Sequence, residues 1–271
     1  MSDLIVKNMD PNEEGNVLKI TPDSAGWEYI GFEVFKLSQG QTVKKETLSN
    51  EVCIVILSGK VNIATEKEKY ENIGHRMSVF EWTPPYSVYV PPKDQYAIQA
   101  LTEVEYVVCA APGKGTYEAR LITPEDVKVS TRGSGNLTRY IHDILPEQAN
   151  ADSLLVVEVL TPQGSWSGFP PHKHDEDNLP HESKLEETYY HKINPENGFA
   201  YQRVYTDDNL LDENLAVKND EAVLVPKGYH PVAAPPGYDV YFLNVMAGPI
   251  RTWNFKNDPE HEWLLNHVKV Y

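Results

Sequence analysis

Short runs of β-branched or alternating apolar residues recur along the whole chain, and Gly, Pro or Asn punctuate them. They occupy residues 52–57, 87–90, 104–109, 154–160, 187–193, 199–205, 222–225 and 240–245. Segments with a helical period are scarce, and 20 prolines are spread along the chain. Runs of this length separated by turn signals close into sandwiches or barrels, so the expected class is all-β with few short helices.

The runs also recur in order. EVFKLSQG at 33–40 is answered by EVLTPQG at 158–164, and VYVP at 88–91 by VLVP at 223–226. The acid that opens the run after Glu51 has an apparent counterpart in Glu187, and YVVCAAP at 106–112 resembles FLNVMAGP at 242–249. An ordered repeat predicts two related lobes, 1–130 and 131–271, joined near the loop-like STRGSGN at 130–136. The copies differ where chemistry would lie. The second has His172, His174 and His230; the first has Val43-Lys-Lys-Glu46 and Gln95 at those landmarks, and keeps only Glu51. The first lobe is therefore expected to be a scaffold that lacks a full metal-ligand set.

The net charge of −16 argues against nucleic acid as a partner but leaves room for an acidic small molecule, because a few arginines can reverse the field inside a pocket. Cys53 and Cys109, the two cysteines, make no disulfide framework and suit a reducing cytosol. The N-terminus does not have the pattern of a signal peptide, and no apolar stretch reaches membrane-spanning length. A cytoplasmic protein is expected.

Four of the nine histidines fall in one stretch, FPPHKHDEDNLPHESKLEETYYH at 169–191, and a fifth, His230, sits in VPKGYHP. His172 and His174 lie two apart, so on a strand both rings point the same way. Glu187 opens a strand whose alternate residues Tyr189 and His191 share its face. His230 follows a Pro-x-Gly turn. Three neutral imidazoles and one carboxylate converging in this way suit a divalent metal with positions left for substrate. His181 and His191 are expected to lie outside the ligand set, and Asp175, Glu176, Asp177 and Glu182 to form a solvated loop or a rim over the site.

These residues resemble the two motifs of the cupins. PPHKHDEDNLP, LEETYYH, GFAYQRVYTDD and VPKGYHPV are more specifically similar to the 5-deoxy-glucuronate isomerases of myo-inositol catabolism, relatives of the 4-deoxy-5-threo-hexosulose-uronate ketol-isomerases. The resemblance implies a bicupin with His172, His174, Glu187 and His230 as metal ligands. The segment 175–186 separates this Glu from the second His by more than in ordinary cupins, so Glu182 and Glu186 stand as rival ligands. One residue rather than two separates Gly228 from His230.

The resemblance further implies an aldose–ketose isomerisation of 5-deoxy-D-glucuronate to 5-dehydro-2-deoxy-D-gluconate, with one divalent ion, zinc or manganese, stabilising an enediolate. Glu182, Glu186, His191 and Tyr189 are candidate bases. For the sugar carboxylate, Arg203, in the run 201–205 with Tyr205, is the first choice and Arg251 beside Trp253 the second; a guanidinium fork matches a carboxylate bidentately. Two other functions fit the same ligands: a cupin dioxygenase using ferrous iron, and a non-catalytic sugar-acid-binding cupin. An isomerase works without oxygen; a dioxygenase consumes it. A homo-oligomer is expected by analogy.

Overall fold

The apolar runs are strands. The four longest, Asn50–Ser58, Val104–Pro112, Glu186–Asn194 and Asp239–Ala247, have nine residues each, whereas the two α-helices, Pro22–Ala25 and Leu264–His267, are single turns. The computed structural model describes residues 2–267. No helix among them is long and apolar enough to cross a membrane.

The chain divides into two units. One comprises Asn8–Lys128 and Asp143–Val156; the other comprises Met1–Lys7, Val129–His142 and Val157–Tyr271. The first unit has a six-stranded antiparallel sheet in the order Arg120–Ile122, Ser87–Val90, Asn50–Ser58, Val104–Pro112, Gly31–Leu37, Asn16–Ile20, and a four-stranded sheet in the order Thr42–Glu46, Gln95–Ala100, Val61–Thr65, Lys69–Ile73. Val52, Ile54 and Ile56 from the larger sheet pack with Val61, Ile63, Tyr96 and Ile98 from the smaller. Each such side chain, fully buried, contributes about 1.5–3 kcal/mol.

The second unit repeats the plan. Its larger sheet has Glu186–Asn194 between Ala222–Val225 and Asp239–Ala247, and its four-stranded sheet runs Trp166–Ser167, Val232–Ala233, Phe199–Tyr205, Asp212–Lys218. The first residues of the chain join it because Ile5–Val6 adds an edge strand against Ala222–Val225.

Strand register corrects the sequence repeat. Val52 lies opposite Val90 and Ala110. Glu187 lies opposite Val225 and Met246. Val90 and Val225 both close the VxVP motif, so the counterpart of Glu187 is Val52, not Glu51. A one-residue slip moves a side chain to the other face of a sheet. The interior of the first unit therefore has Val52, Ile54 and Val108 at the positions that carry Glu187, Tyr189 and Asn244 in the second.

Glu51 has a different task. It is fully buried, and its carboxylate accepts the backbone N–H groups of Asp152, Ser153 and Leu154 at 2.6–2.7 Å and the Tyr89 hydroxyl at 2.7 Å. Glu51→Ala removes the acceptor for four buried or half-buried donors at once. It is expected to lower stability by about 3–5 kcal/mol, measured by denaturant unfolding, while metal content per folded molecule is unchanged. A loss below about 1 kcal/mol would show that the donors find other partners.

Candidate metal centre and its cavity

Period-two alternation sorts the ligand candidates. In Glu186–Asn194, residues Glu187, Tyr189 and His191 share one face and Glu186 takes the other. At the His172–Lys173 strand the histidines 172 and 174 turn to the site while Lys173 turns away. The Lys173 ammonium is ringed by Asp175 (2.8 Å), Glu176 (2.9 Å), Asp207 (3.4 Å) and Glu182 (3.6 Å). The acidic segment expected as a solvated loop or rim is thus mostly the counter-charge of one buried lysine. Buried charges are tolerated when paired in this way.

His230 is placed by its turn. Gly228 has φ +87°, and a Cβ there would come within 2.2 Å of the Tyr205 carbonyl oxygen, so the turn requires glycine. The His230 Nδ1–H donates to the Gly228 carbonyl at 2.8 Å, which leaves Nε2 to face the site. His174 is anchored similarly, with Nδ1 3.3 Å from the Leu185 carbonyl.

The two rings meet on one carboxylate oxygen. His174 Nε2 is 2.9 Å from Glu187 Oε2, and His230 Nε2 is 3.1 Å from the same atom. The other oxygen, Oε1, accepts from the Asn244 amide at 2.5 Å. The His172 ring stands edge-on to His230, centroids 5.2 Å apart. Burial alone would raise Glu187, yet the flanking His230 and His174 hold it well below the usual carboxylate range. Burial would lower His174, but the hydrogen bond and charge of Glu187 outweigh it and raise the imidazole. His172 is lowered, by burial first and then by His230 and His174.

This donor set fits a divalent metal. Ligand atoms of His174, Glu187 and His230 lie within 4.8 Å of one another. His230 Nε2 is buried and lacks an aligned hydrogen-bond partner. Imidazole nitrogen with carboxylate oxygen is the chemistry such ions take.

A cavity of about 450 Å³ opens at the site, within the size range of small-molecule sites. His172, Glu187, Tyr189 and Asn244 line it, together with apolar side chains such as Val157 and Phe242. Tyr189 lies beside Asn244 and Glu187, and burial, then the Glu187 charge, raise its hydroxyl well above the ordinary tyrosine value.

The other sequence candidates lie elsewhere. Glu182 accepts the N–H groups of Asp175 and Glu176 beside Lys173. Glu186 points to the opposite sheet face. His191 shares the face of Tyr189 but lies outside the cavity lining; its Nε2 is 3.0 Å from Gln202 Oε1, and burial lowers it to about 4. Arg203 gives both arms of its fork to Asp212, at 2.7 and 2.8 Å, and stacks over Tyr205. Tyr205 donates its hydroxyl to Asp258 at 2.6 Å. Neither these two nor Arg251 lines the cavity. Arg203→Ala is therefore expected to change KM less than about twofold, since a partly exposed ion pair contributes about 0–1 kcal/mol; steady-state kinetics would show it. Asn244 and the cavity arginines Arg132 and Arg139 went unflagged in the sequence. Asn244 could have been found only from the strand pairing that sets it opposite Tyr189.

Comparison with known proteins agrees with this geometry. The model of the KduI/IolB family matches residues 4–264. The 5-deoxy-glucuronate isomerase of Geobacillus thermodenitrificans is 65% identical over 265 residues, covering 98% of this chain and 97% of the relative. That of Bacillus subtilis is 46% identical, covering 92% of each. Among solved structures, an IolB-like protein from Salmonella typhimurium superposes with a TM-score of 0.95 at 47% identity, covering 97% of this chain and all of the other. A Bacillus subtilis oxalate decarboxylase matches at a TM-score of 0.64 and 12% identity over 95% of this chain and 80% of its own. That last likeness is one of fold, and it places both units in the bicupin architecture.

Proposed function

The chain belongs to the KduI/IolB family, and from that premise we infer that it is an aldose–ketose isomerase converting 5-deoxy-D-glucuronate to 5-dehydro-2-deoxy-D-gluconate. The observation that carries the chemistry is the convergence of His174, His230 and Glu187 at a cavity that Tyr189 also lines.

His172, His174, Glu187 and His230 would hold one divalent ion, zinc or manganese, which when bound supplies Lewis acidity toward the sugar's carbonyl and neighbouring hydroxyl oxygens. The chain's own residues do the rest. Glu187 is held from both ends, by the two imidazoles at Oε2 and by Asn244 at Oε1, so its orientation is set before substrate arrives. Tyr189 alone of the four candidate bases lines the cavity. Its raised hydroxyl stays protonated, so its part is to donate a proton to the sugar's carbonyl oxygen and take one back from the neighbouring hydroxyl, not to abstract the C–H proton. Its ring shares the sheet face of Glu187 and stands opposite Asn244, which places it at the reacting end of the cavity.

In the same proposal the lobe expected at 1–130 is a scaffold, with Val52 where the other lobe has its carboxylate. The enzyme acts in the cytoplasm as an assembly of identical chains; light scattering of the purified protein reads the assembly. The function is tested by an anaerobic assay on 5-deoxy-D-glucuronate with metal analysis on the same sample. Ketose formation without oxygen is the expected result. Product formation that requires oxygen uptake would establish a dioxygenase instead.

A further inference from the structure

The cavity that Glu187 and His172 line is also lined by Arg132 and Arg139. The chain has 40 acidic side chains against 24 lysines and arginines. Even so, among the described residues no carboxylate pairs with either arginine. Arg203, by contrast, is fully engaged by Asp212. Among the described residues the cavity lining holds one acid, Glu187, and that acid is committed to the two histidines and Asn244.

Arg139 is half-buried and aimed by the backbone. Its Nη1 donates to the Leu137 carbonyl at 3.0 Å, at the end of the one-turn 3-10 helix Gly135–Leu137. Gly133, at φ +71°, lets this turn close: a Cβ there would stand 2.1 Å from the Leu137 oxygen and 2.9 Å from Arg139 Nη1. One carbonyl leaves most of the five guanidinium donors for another acceptor. Burial, and then the neighbouring positive charge of Arg132, lower Arg139 to about 10, which leaves it charged at neutral pH. Two cations held together in a partly dehydrated cavity repel each other, and an anion bound there relieves the repulsion.

We propose that Arg139, assisted by Arg132, forms the carboxylate subsite of this cavity and selects sugar acids over neutral sugars. The fork of Arg139 takes the carboxylate while the carbonyl end of the same molecule lies toward His172 and Glu187. Arg132, exposed at the cavity, draws the anion in. The assignment deepens the isomerase reading and rests on it for the identity of the substrate, but the subsite can be measured without turnover.

The measurement is calorimetric titration of the metal-loaded protein with D-gluconate, a non-reacting sugar acid, and with neutral D-glucitol. Wild type is expected to bind gluconate the more tightly. Arg139→Gln is expected to raise the gluconate Kd by about tenfold or more, the loss typical of a charge-assisted bidentate pair, with metal stoichiometry unchanged. Arg132→Gln is expected to raise it by about threefold and to flatten its dependence on salt. If circular dichroism shows Arg139→Gln unfolded, Arg139→Lys takes its place, because it keeps the charge and loses the fork; a rise in Kd is again expected. Equal affinity of wild type for gluconate and glucitol, or an unchanged gluconate Kd in the arginine variants, would overturn the subsite. Failure of wild type to isomerise 5-deoxy-D-glucuronate while the gluconate preference follows Arg139 would instead overturn the reaction and leave the subsite standing.

Discussion

His174→Ala is expected to strip the protein of its metal and to lower kcat/KM by about three orders of magnitude or more. The imidazole is buried, and its Nε2 and that of His230 meet on Glu187 Oε2. Removing it takes away one nitrogen of the proposed set and the main hydrogen bond to Glu187 Oε2. The metal-free protein also loses a buried ion pair, which costs about 3–5 kcal/mol when one partner is deleted. The variant should therefore melt lower and yet give a β-rich circular dichroism spectrum below its transition. Elemental analysis checks the metal, and His181→Ala is the control. His181 is exposed on the hairpin beyond the site, and its loss should leave metal and rate unaltered. Full metal stoichiometry in the folded His174→Ala protein would remove the basis for the centre.

Tyr189→Phe is expected to lower kcat by about 10²–10⁴-fold, the range for loss of a positioned proton-transfer group, with metal content unchanged. The ring stays and only the hydroxyl goes, so the cavity wall is kept and the fold loses no more than about 1 kcal/mol. KM should change little, because the effect falls on the reaction rather than on binding. Metal analysis and saturation kinetics on one preparation separate the two. A variant with wild-type kcat would return proton transfer to a group outside the tyrosine.

The contrast between these residues and the discarded candidates explains what a linear reading can reach. Glu182, Glu186, Glu187 and His191 are close in sequence and chemically alike, yet they have four different surroundings. Glu186 and Glu187 differ by one position on a strand and so by a full change of face. Glu182 pairs with a lysine nine residues back, at the turn of a hairpin whose register no local pattern states. The Glu51 alignment failed for the same reason. Both stretches read as an acid followed by an apolar run, and only the opposed pairs Val52–Val90 and Glu187–Val225 distinguish the faces.

Strand positions, the all-β class and the nomination of His172, His174, Glu187 and His230 were readable along the chain, because period-two alternation, turn residues and ligand chemistry are local properties. The folded arrangement alone decided which face each acid takes, that Asp212 claims Arg203, and that Arg132 and Arg139 share a cavity with the histidines. Those outcomes depend on which strands become neighbours and in what register. That choice is made by long-range pairing and burial, which no single stretch of the chain encodes by itself.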